Sequence, residues 1–384
     1  MRKFITIIMS FTLLVGFFVP IAHGEELVES GKAALLIEVG TGRILYEKNP
    51  DEQREPASMT KIMPMYLILE AIADGRLTWD QEITASEHAA SFGGTQIYLE
   101  PGERMSVRDL FASVAIASAN DSVVALGEAV SGSEEAFVNL MNERAAEFGM
   151  TGTVFKNPTG LPEEGHVTTA FDMAIAARRL ITDFPEVAEF TSMYEDYVRE
   201  DSDEPFWLVN TNKLVRYVDG VDGLKTGYTK AAGYCLAATA KRGDMRVVAV
   251  VMGAEKSEYR NREIARLVEY AFSQYELHPR LEAGSVVGAY QNILADGRQI
   301  EAVTISPVSL LVDVGEHLGE ESQEVIFYQD LKFPINPGDI VGRLIYYVDG
   351  QIHQEVNLTV AETVERTSFV TLWMYTLGQL FFGG

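Results

Sequence analysis

The stretch Pro56-Ala57-Ser58-Met59-Thr60-Lys61 places a serine three residues before a lysine, directly ahead of an apolar run from Ile62 to Leu69. The run has helical spacing, and a proline just before such a run is typical of a helix start. Residues three apart share a helix face, so Ser58 and Lys61 should stand side by side on the first turn. There the positive end of the helix dipole disfavours a charged lysine and favours a developing anion. Taken alone, such a tetrad is more often a capped helix start with a surface lysine.

The composition indicates a globular protein of two domains rather than one small core. The chain has 384 residues, of which 47% are hydrophobic and 23% are charged. Its formal net charge of -25 argues against nucleic acid as a partner, because nucleic-acid binding needs a basic footprint. A single cysteine, Cys235, excludes an internal disulfide and is expected to be a buried strand thiol. No group of His, Cys or carboxylate side chains has the spacing of metal ligands.

The N-terminus has the features of a signal peptide for export. Arg2 and Lys3 precede an apolar segment from Ile5 to Pro20, and Ala22-His23-Gly24 has small residues at the two cleavage positions. Residues 1–24 are therefore left out of the fold prediction. An exported chain without disulfides fits a bacterial envelope.

The order of elements after the signal peptide predicts a sheet with helices packed on its faces. A strand at 33–38 turns back as a hairpin at 43–46, and the helix that starts near Ser58 ends near Gly75. Residues 86–102 are predicted to be a loop and residues 192–213 to be irregular. Further helices are predicted at 106–117, 121–130, 134–148, from a cap at Thr168 to Ile181, and at 261–275. Further strands are predicted at 225–229, 234–240 and 247–253.

The character of the chain changes after Pro279. From Leu281 to Val360, short β-type runs alternate with Gly, Pro and Asp turns, which predicts a small all-β second domain. The tail from Thr367 to Phe382 is apolar and uncharged, but it is shorter than the roughly 20 residues that span a bilayer. We therefore predict an interfacial helix that attaches the protein to the membrane surface. The alternative is a terminal helix packed on the protein. The predicted divisions are 1–24, 25–280, 281–362 and 363–384.

Three short motifs occur in order along the chain: Ser58-x-x-Lys61, then Ser118-Ala119-Asn120, then Lys225-Thr226-Gly227. Each is weak alone, since Ser118 and Asn120 fit plain helix caps and Lys225 fits a strand-edge lysine. Together, in this order and each on the expected kind of element, they match the triplet of penicillin-binding proteins and β-lactamases.

On these motifs, the chain resembles the D-alanyl-D-alanine carboxypeptidases among the low-molecular-mass penicillin-binding proteins. The stretch Gly223–Thr229 and the loop at 157–162 match as well, and the resemblance extends over nearly the whole chain. It implies a serine β-lactamase/transpeptidase-like α/β (α+β) domain with an antiparallel sheet and helices on both faces, followed by the small all-β domain. It also implies no metal or organic cofactor. The protein would act at the outer face of the bacterial cytoplasmic membrane and bind β-lactam antibiotics as inhibitors.

The resemblance assigns the covalent chemistry to the first two motifs. Ser58 would attack the carbonyl between the two D-alanines that end a peptidoglycan stem peptide, and Lys61 would take its proton. Ser118 would relay a proton to the leaving amine, and Asn120 would hold both the substrate amide and Lys61. Whether Lys61 alone is the base, or shares the proton with Ser118, stays open.

The resemblance assigns substrate binding to the third motif and its surroundings. Lys225 would attract the terminal carboxylate and help to keep Lys61 neutral, and Thr226 would donate a hydrogen bond to that carboxylate. Gly227 would let the strand approach the substrate closely. The backbone N–H groups of Ser58 and Tyr228 would form the oxyanion hole, and Arg260 would help to place the carboxylate.

Two other functions remain as alternatives. One is a β-lactamase or esterase on the same fold, which the β-rich second domain and apolar tail disfavour. The other is a catalytically silent wall-binding protein, which the intact Ser58, Lys61, Ser118 and Lys225 argue against.

Overall fold

The computed structural model describes residues 26–200, 202 and 204–374, so the predicted signal peptide and the end of the apolar tail lie outside the described residues. The strands are, in chain order, β1 (Ala33–Glu38), β2 (Ile44–Lys48), β3 (Glu82–Thr84), β4 (Arg104–Ser106), β5 (Glu195–Val198), β6 (Phe206–Val209), β7 (Val221–Thr229), β8 (Gly233–Arg242), β9 (Met245–Ala254), β10 (Tyr275–Leu281), β11 (Val286–Gln291), β12 (Gln299–Thr304), β13 (Val308–Asp313), β14 (Glu321–Phe327), β15 (Gly342–Val348) and β16 (Gln351–Thr359).

The α-helices follow the same order. They are α1 (Ile62–Ala73), α2 (Glu87–Ala90), α3 (Val107–Ala112), α4 (Asn120–Ser131), α5 (Glu134–Glu147), α6 (Ala170–Asp183), α7 (Val187–Thr191), α8 (Leu214–Tyr217) and α9 (Ser257–Gln274). Two helical turns that are not α-helical lie at the site. One is a 3₁₀ turn, tighter than an α-helix, at Ala57–Lys61, and the other is a π-helical turn, wider than an α-helix, at Ser113–Ala117. A further 3₁₀ turn lies at Asp296–Arg298.

The first sheet has five antiparallel strands in the order β2-β1-β9-β8-β7. Its central strands are apolar along most of their length because both faces are covered. In β1, Leu35 and Ile37 face the large core built with helices α1, α3, α4, α5 and α6, whereas Ala34 and Leu36 face a second core built with α9. Alternate residues of a strand point to opposite faces, so the continuous apolar run is explained by helices on both sides. The predicted α/β sheet with helices on both faces is confirmed.

The second sheet has the order β11-β12-β16-β15-β14, again antiparallel, with an apolar core of its own. Strand β10 runs directly on from α9 and pairs with β13. The junction is tied by Leu311 of β13, which packs into the α9 core, and by Arg43, whose guanidinium donates to the Leu311 carbonyl at 3.1 Å. The β-rich character predicted after Pro279 is confirmed.

Two segments predicted to lack regular structure contain elements. Within 192–213, β5 and β6 form a hairpin whose four-residue strands are too short to show their alternation clearly. Within 86–102, Ser86 caps the single-turn helix α2 by accepting from the Ala89 N–H at 2.9 Å. Both predictions were therefore wrong for these residues.

The helix predictions need three smaller corrections. The helix expected over 106–117 is α-helical only to Ala112 and then π-helical. The cap of α6 is Thr169 rather than Thr168, because its hydroxyl accepts from the Asp172 N–H at 3.0 Å. Helix α9 begins at Ser257 rather than Asn261, since its polar first turn hides the apolar periodicity.

The described part of the C-terminal tail is helical at residues 369–374. No helix within the described ranges is long and apolar enough to cross a membrane.

Candidate active site

Ser58 lies in the 3₁₀ turn that leads into α1, half-buried, with its Oγ 3.3 Å from the Nζ of Lys61. The turn is closed by the Met59 N–H, which donates to the Pro56 carbonyl at 3.2 Å. Ala57 has a φ of +47°, a left-handed conformation that is unusual for a residue with a Cβ. The sequence prediction that Ser58 and Lys61 face each other is thus matched by the geometry, on a 3₁₀ rather than an α-helical turn.

The Nζ of Lys61 is fully buried and contacts two acceptors besides the Ser58 hydroxyl. Nζ donates at 2.7 Å to the Oδ1 of Asn120 and at 2.7 Å to the carbonyl of Thr159. Burial lowers the pKa of Lys61 well below its ordinary value, and the nearby Lys225 lowers it further, against the opposing effect of Asp121. A neutral amine has two N–H groups and one lone pair. The two short bonds use both N–H groups, which leaves the lone pair for the Ser58 hydroxyl.

Ser118 and Asn120 mark the break between the π-helical turn and α4. Ser118 has a φ of +67°, and its buried Oγ has no hydrogen-bond partner in the described part of the chain. Asn120 is held by both ends of its amide group: Oδ1 accepts from Lys61, and Nδ2 donates to the Gly93 carbonyl at 2.7 Å. The predicted cap residues therefore do more than end helices, because the break brings Asn120 onto the Ser58–Lys61 pair.

Lys225 lies in β7, fully buried, and within the described residues its ammonium makes one long hydrogen bond, to the Thr226 carbonyl at 3.3 Å. Burial lowers the pKa of Lys225 to about 7, with a further contribution from Arg260. The Thr226 hydroxyl donates to the Thr211 hydroxyl at 2.7 Å. A buried cation with so few acceptors is costly unless an anion accompanies it. The arrangement can therefore hold the carboxylate of a ligand.

Gly227 brings β7 against the turn that carries Ser58. A Cβ at this position would lie 2.8 Å from the Pro56 carbonyl oxygen and 3.1 Å from the Met59 nitrogen, so only glycine fits without moving backbone. The next residue, Tyr228, has an exposed side chain that stacks on Tyr234 with 4.3 Å between ring centroids.

Arg260, to which the resemblance assigns a part in placing the carboxylate, lies buried on α9. Its Nη1 donates to the Cys235 carbonyl at 3.3 Å, and Cys235 is the β8 residue opposite Gly227. Its Nε and Nη2 donate to the Asn261 side chain at 3.1 and 2.7 Å. Burial lowers the pKa of Arg260 to about 10. It acts on Lys225 as a nearby positive charge rather than through a shared hydrogen bond. Cys235 itself is buried, as predicted.

Comparison with known proteins places this geometry in a family. Residues 22–256 match the family described as D-alanyl-D-alanine carboxypeptidase, and residues 275–366 match the C-terminal domain of penicillin-binding protein 5. The D-alanyl-D-alanine carboxypeptidase DacF of Bacillus subtilis (strain 168) is 44% identical over 378 residues, which cover 96% of this chain and 97% of that protein. The chain belongs to the D-alanyl-D-alanine carboxypeptidase family. The resemblance predicted from the three motifs is confirmed, and with it a serine-type carboxypeptidase of the penicillin-binding class.

Solved structures are similar to this carboxypeptidase over the same regions. Penicillin-binding protein 5 from Haemophilus influenzae has a TM-score of 0.70 at 29% identity, covering 88% of this chain and 98% of that one. Penicillin-binding protein D2 from Listeria monocytogenes, solved in an ampicillin-bound form, has a TM-score of 0.57 at 35% identity, covering 63% and 98%. The predicted combination of a transpeptidase-like domain with an all-β domain is confirmed at the level of the fold.

Three groups of the carboxypeptidase site were missed by sequence reasoning. The Thr159 carbonyl contacts Lys61, and the Thr211 hydroxyl contacts Thr226. The Gly93 carbonyl contacts Asn120. The loop at 157–162 had been singled out, but a backbone carbonyl leaves no trace in residue type. No group of three or more His, Cys, Asp or Glu side chains within the described ranges could hold a metal ion.

Proposed function

We propose that this carboxypeptidase uses Ser58 as its nucleophile and Lys61 as its general base. Ser58 Oγ attacks the carbonyl carbon between the last two D-alanines of a stem peptide, and its proton moves to the Lys61 lone pair. The C–N bond then breaks, D-alanine leaves with a proton on its amine, and water hydrolyses the Ser58 ester. The observation that carries this proposal is the buried Lys61 Nζ with two acceptors at 2.7 Å and Ser58 Oγ at 3.3 Å.

A protonated Lys61 could not serve as this base. Its third N–H would point at Ser58 Oγ, and no lone pair would remain to accept the hydroxyl proton. Burial and the positive charge of Lys225 both favour the neutral amine, so the cleft supplies the state that the reaction needs. Lys225 thereby has two roles, one in setting the protonation of Lys61 and one in binding substrate.

The Ser118 hydroxyl suits the second proton transfer. It is buried, lies two residues from Asn120 and has no hydrogen-bond partner among the described residues, so it is free to bond to a leaving amine. We assign it the transfer of the proton from Lys61 towards that amine, and we assign Asn120 the alignment of Lys61 and of the substrate amide.

Lys225 and Thr226 would bind the terminal carboxylate of the substrate. Among the described residues, the buried Lys225 ammonium makes one long hydrogen bond, so a substrate carboxylate beside it would supply the acceptors that it lacks. The Thr226 hydroxyl could donate to the same carboxylate. Arg260, which donates to the Cys235 carbonyl of the neighbouring strand β8, adds positive charge near Lys225. The close approach at Gly227 supports an oxyanion hole made of the Ser58 and Tyr228 N–H groups. One such donor is worth about 3–4 kcal/mol in other acyl-transfer enzymes.

Release of D-alanine tests this function directly. We expect the purified protein to release free D-alanine from a synthetic peptide ending in D-Ala-D-Ala, without forming a cross-linked product. Cross-linked dimers in place of free D-alanine would identify a transpeptidase. Hydrolysis of penicillin at a comparable turnover, without D-alanine release, would identify a β-lactamase and contradict the proposal.

We also propose that the protein is exported by residues 1–24 and held at the outer face of the membrane by its tail, residues 363–384. The apolar part of the tail begins at Thr367, whose hydroxyl and N–H donate to the Ala295 and Leu294 carbonyls at 2.5 and 2.8 Å. Beyond this anchor point on the second domain, Phe369, Val370, Trp373 and Met374 are largely exposed. The matched stretches at 22–256 and 275–366 support the division into domains at 25–280 and 281–362, with the boundary inside β10.

Deletion of 367–384 checks the attachment. Membrane fractionation should find the truncated protein in the soluble fraction with unchanged penicillin binding. If the truncated protein still sediments with membranes, the tail is not the attachment.

A further inference from the structure

The segment at 92–102, here termed the wall loop, holds Asn120 in place. The Gly93 carbonyl accepts from the Asn120 side chain at 2.7 Å, and the Thr95 carbonyl accepts from the Asn120 backbone N–H at 2.7 Å. Asn120 in turn contacts the Lys61 ammonium at 2.7 Å. A displacement of the wall loop would therefore move the acceptor that aligns Lys61.

The wall loop is fastened from the protein interior by Asp121. The buried carboxylate of Asp121 accepts from the Ile97 N–H at 3.1 Å and from the Leu99 N–H at 3.0 Å. These bonds use only N–H groups, so they leave the carbonyls of Ile97 and Tyr98 to be satisfied by another group.

Arg199 supplies that outer contact. Its Nη1 donates to the Ile97 carbonyl at 2.9 Å and its Nη2 to the Tyr98 carbonyl at 3.4 Å. The same guanidinium makes a bidentate pair with Glu103, at 2.7 and 3.0 Å. Burial raises the pKa of Glu103, but the hydrogen bonds from Arg199 and from the Glu100 N–H, together with the positive charge of Arg199, outweigh that rise and lower the pKa. The Arg199 side chain thus binds the middle of the wall loop and Glu103, the residue that follows the loop.

The backbone around this contact is strained. Tyr98 has a φ of +58° and Arg199 a φ of +59°, although neither is glycine. Such conformations persist only where the surroundings enforce them, and they concentrate at functional sites. Arg199 also follows β5 of the hairpin whose other strand, β6, leads to Thr211, and Thr211 bonds to Thr226. The residues that follow β5 and β6 therefore contact two sides of the cleft: Arg199 contacts the wall loop, and Thr211 contacts Thr226 of β7.

We propose that Arg199 is a positioning residue for acylation, acting through the wall loop and Asn120 on Lys61. This inference rests on the proposed roles of Ser58 and Lys61. Arg199 does not touch the reacting groups, so its effect should appear only through Asn120.

Replacement of Arg199 tests the inference. We expect Arg199→Ala to lower the second-order rate of acylation by a fluorescent penicillin about ten- to a hundredfold, since small misplacements far from the chemistry can cost that much. The matched control is Arg144→Ala. Arg144 also pairs with a glutamate, Glu70, through both of its Nη atoms, and their side chains are 17% and 20% exposed, against 19% and 21% for Arg199 and Glu103. The control should lower the unfolding temperature and leave the acylation rate unchanged.

A double-mutant cycle separates positioning from general destabilisation. If Arg199 acts through Asn120, Arg199→Ala should have little further effect on acylation in an Asn120→Ala background. Full additivity of the two effects would overturn the inference, as would a normal acylation rate in Arg199→Ala. Persistent labelling of Ser58→Ala would overturn the proposed nucleophile instead, so the two failures are distinguishable.

Chemical rescue gives a second readout that does not depend on folding. Arg199 and Glu103 line a surface cavity of about 720 Å³, through which a small cation can reach the vacated position. Methylguanidinium should restore part of the acylation rate of Arg199→Ala and leave the wild-type rate unchanged. Absence of rescue, with the variant folded by circular dichroism, would argue that the loop contact is not what controls the rate.

Discussion

The two five-stranded antiparallel sheets of this protein differ in what they bury. The first sheet and its helices enclose Lys61, Lys225 and Arg260, whereas the buried polar side chains described beyond residue 281 are serines and threonines. In the second domain, the charged pair of Arg343 with Glu355 stays at the surface. Burying a charge is costly, so a fold keeps one inside only where it is well satisfied or where function needs it.

The first domain itself contains both kinds of buried charge. Glu263 accepts three backbone N–H groups, from Glu29, Ser30 and Gly31, and therefore serves to tie the N-terminal segment to α9. Within the part of the chain that the structure describes, Lys225 makes one hydrogen bond, of 3.3 Å. The difference teaches that the number of hydrogen bonds, rather than burial alone, distinguishes a structural charge from one that awaits a ligand.

The largest effect is expected from Lys61→Ala. The variant loses the proposed base and should acylate about a thousandfold more slowly, within the usual range for general base catalysis. Stopped-flow acylation by a fluorescent penicillin measures this rate. A near-normal rate in a folded Lys61→Ala variant would mean that another group removes the Ser58 proton.

The next effect contrasts glycines in the two sheets. Gly227→Ala should slow acylation about a hundredfold, because its Cβ would push β7 away from the Ser58 turn. Gly288 in β11 is the control, since a Cβ there would meet only ordinary contacts from 3.6 Å. Gly288→Ala should leave acylation unchanged. Equal rates for the two variants would show that the close approach at Gly227 is not required.

A smaller effect is expected on the pH profile. Below about pH 7 the Lys225 ammonium of the free enzyme is charged and attracts a carboxylate, and above it this attraction is lost. The second-order acylation rate should therefore fall as pH rises through about 7, and at low pH it should fall because Lys61 becomes protonated. In Lys225→Arg the guanidinium stays charged, so the alkaline limb should move to higher pH. Coincident alkaline limbs would assign that ionisation to a different group.

The smallest effect on catalysis is expected from Glu263→Gln. The substitution removes a carboxylate that accepts three N–H groups, which should lower the free energy of unfolding by about 1–3 kcal/mol. Acylation should not change, because Glu263 anchors the N-terminal segment rather than the cleft. Thermal unfolding and acylation rates measured on one sample check both parts. If the folded Glu263→Gln variant acylates more slowly than the wild type, Glu263 is not a purely structural charge, and the distinction between the two kinds of buried charge fails.

The parts of the fold and site that could be predicted are those with local or repeated signals. The apolar run of β1 and the Ser58–Lys61 pair are each recognisable within a few residues of sequence. The contact between the serine and the lysine could be predicted from helical spacing alone. The break at Ser118 was visible because Ser and Asn are typical of helix ends. The first motif was ambiguous by itself, and the order of the three motifs removed the ambiguity.

The remainder depends on contacts between distant residues. Thr159 reaches Lys61 through its carbonyl, a group that every residue has, and Arg199 meets Glu103 across 96 residues of sequence. The hairpin of β5 and β6 was hidden because each strand is four residues long. The hydrogen bonds of Arg260 go to Cys235 and Asn261, and the bond to the Cys235 carbonyl depends on the packing of α9 on β8.

Mass spectrometry of the penicillin adduct tests the central claim, that Ser58 is the acylated nucleophile. After incubation with penicillin, the intact protein should carry one adduct, and peptide mapping should find it on the peptide that contains Ser58. The Ser58→Ala variant should carry none while remaining folded. A stoichiometric adduct on Ser58→Ala, or an adduct mapped to another residue of the wild-type protein, would contradict the account.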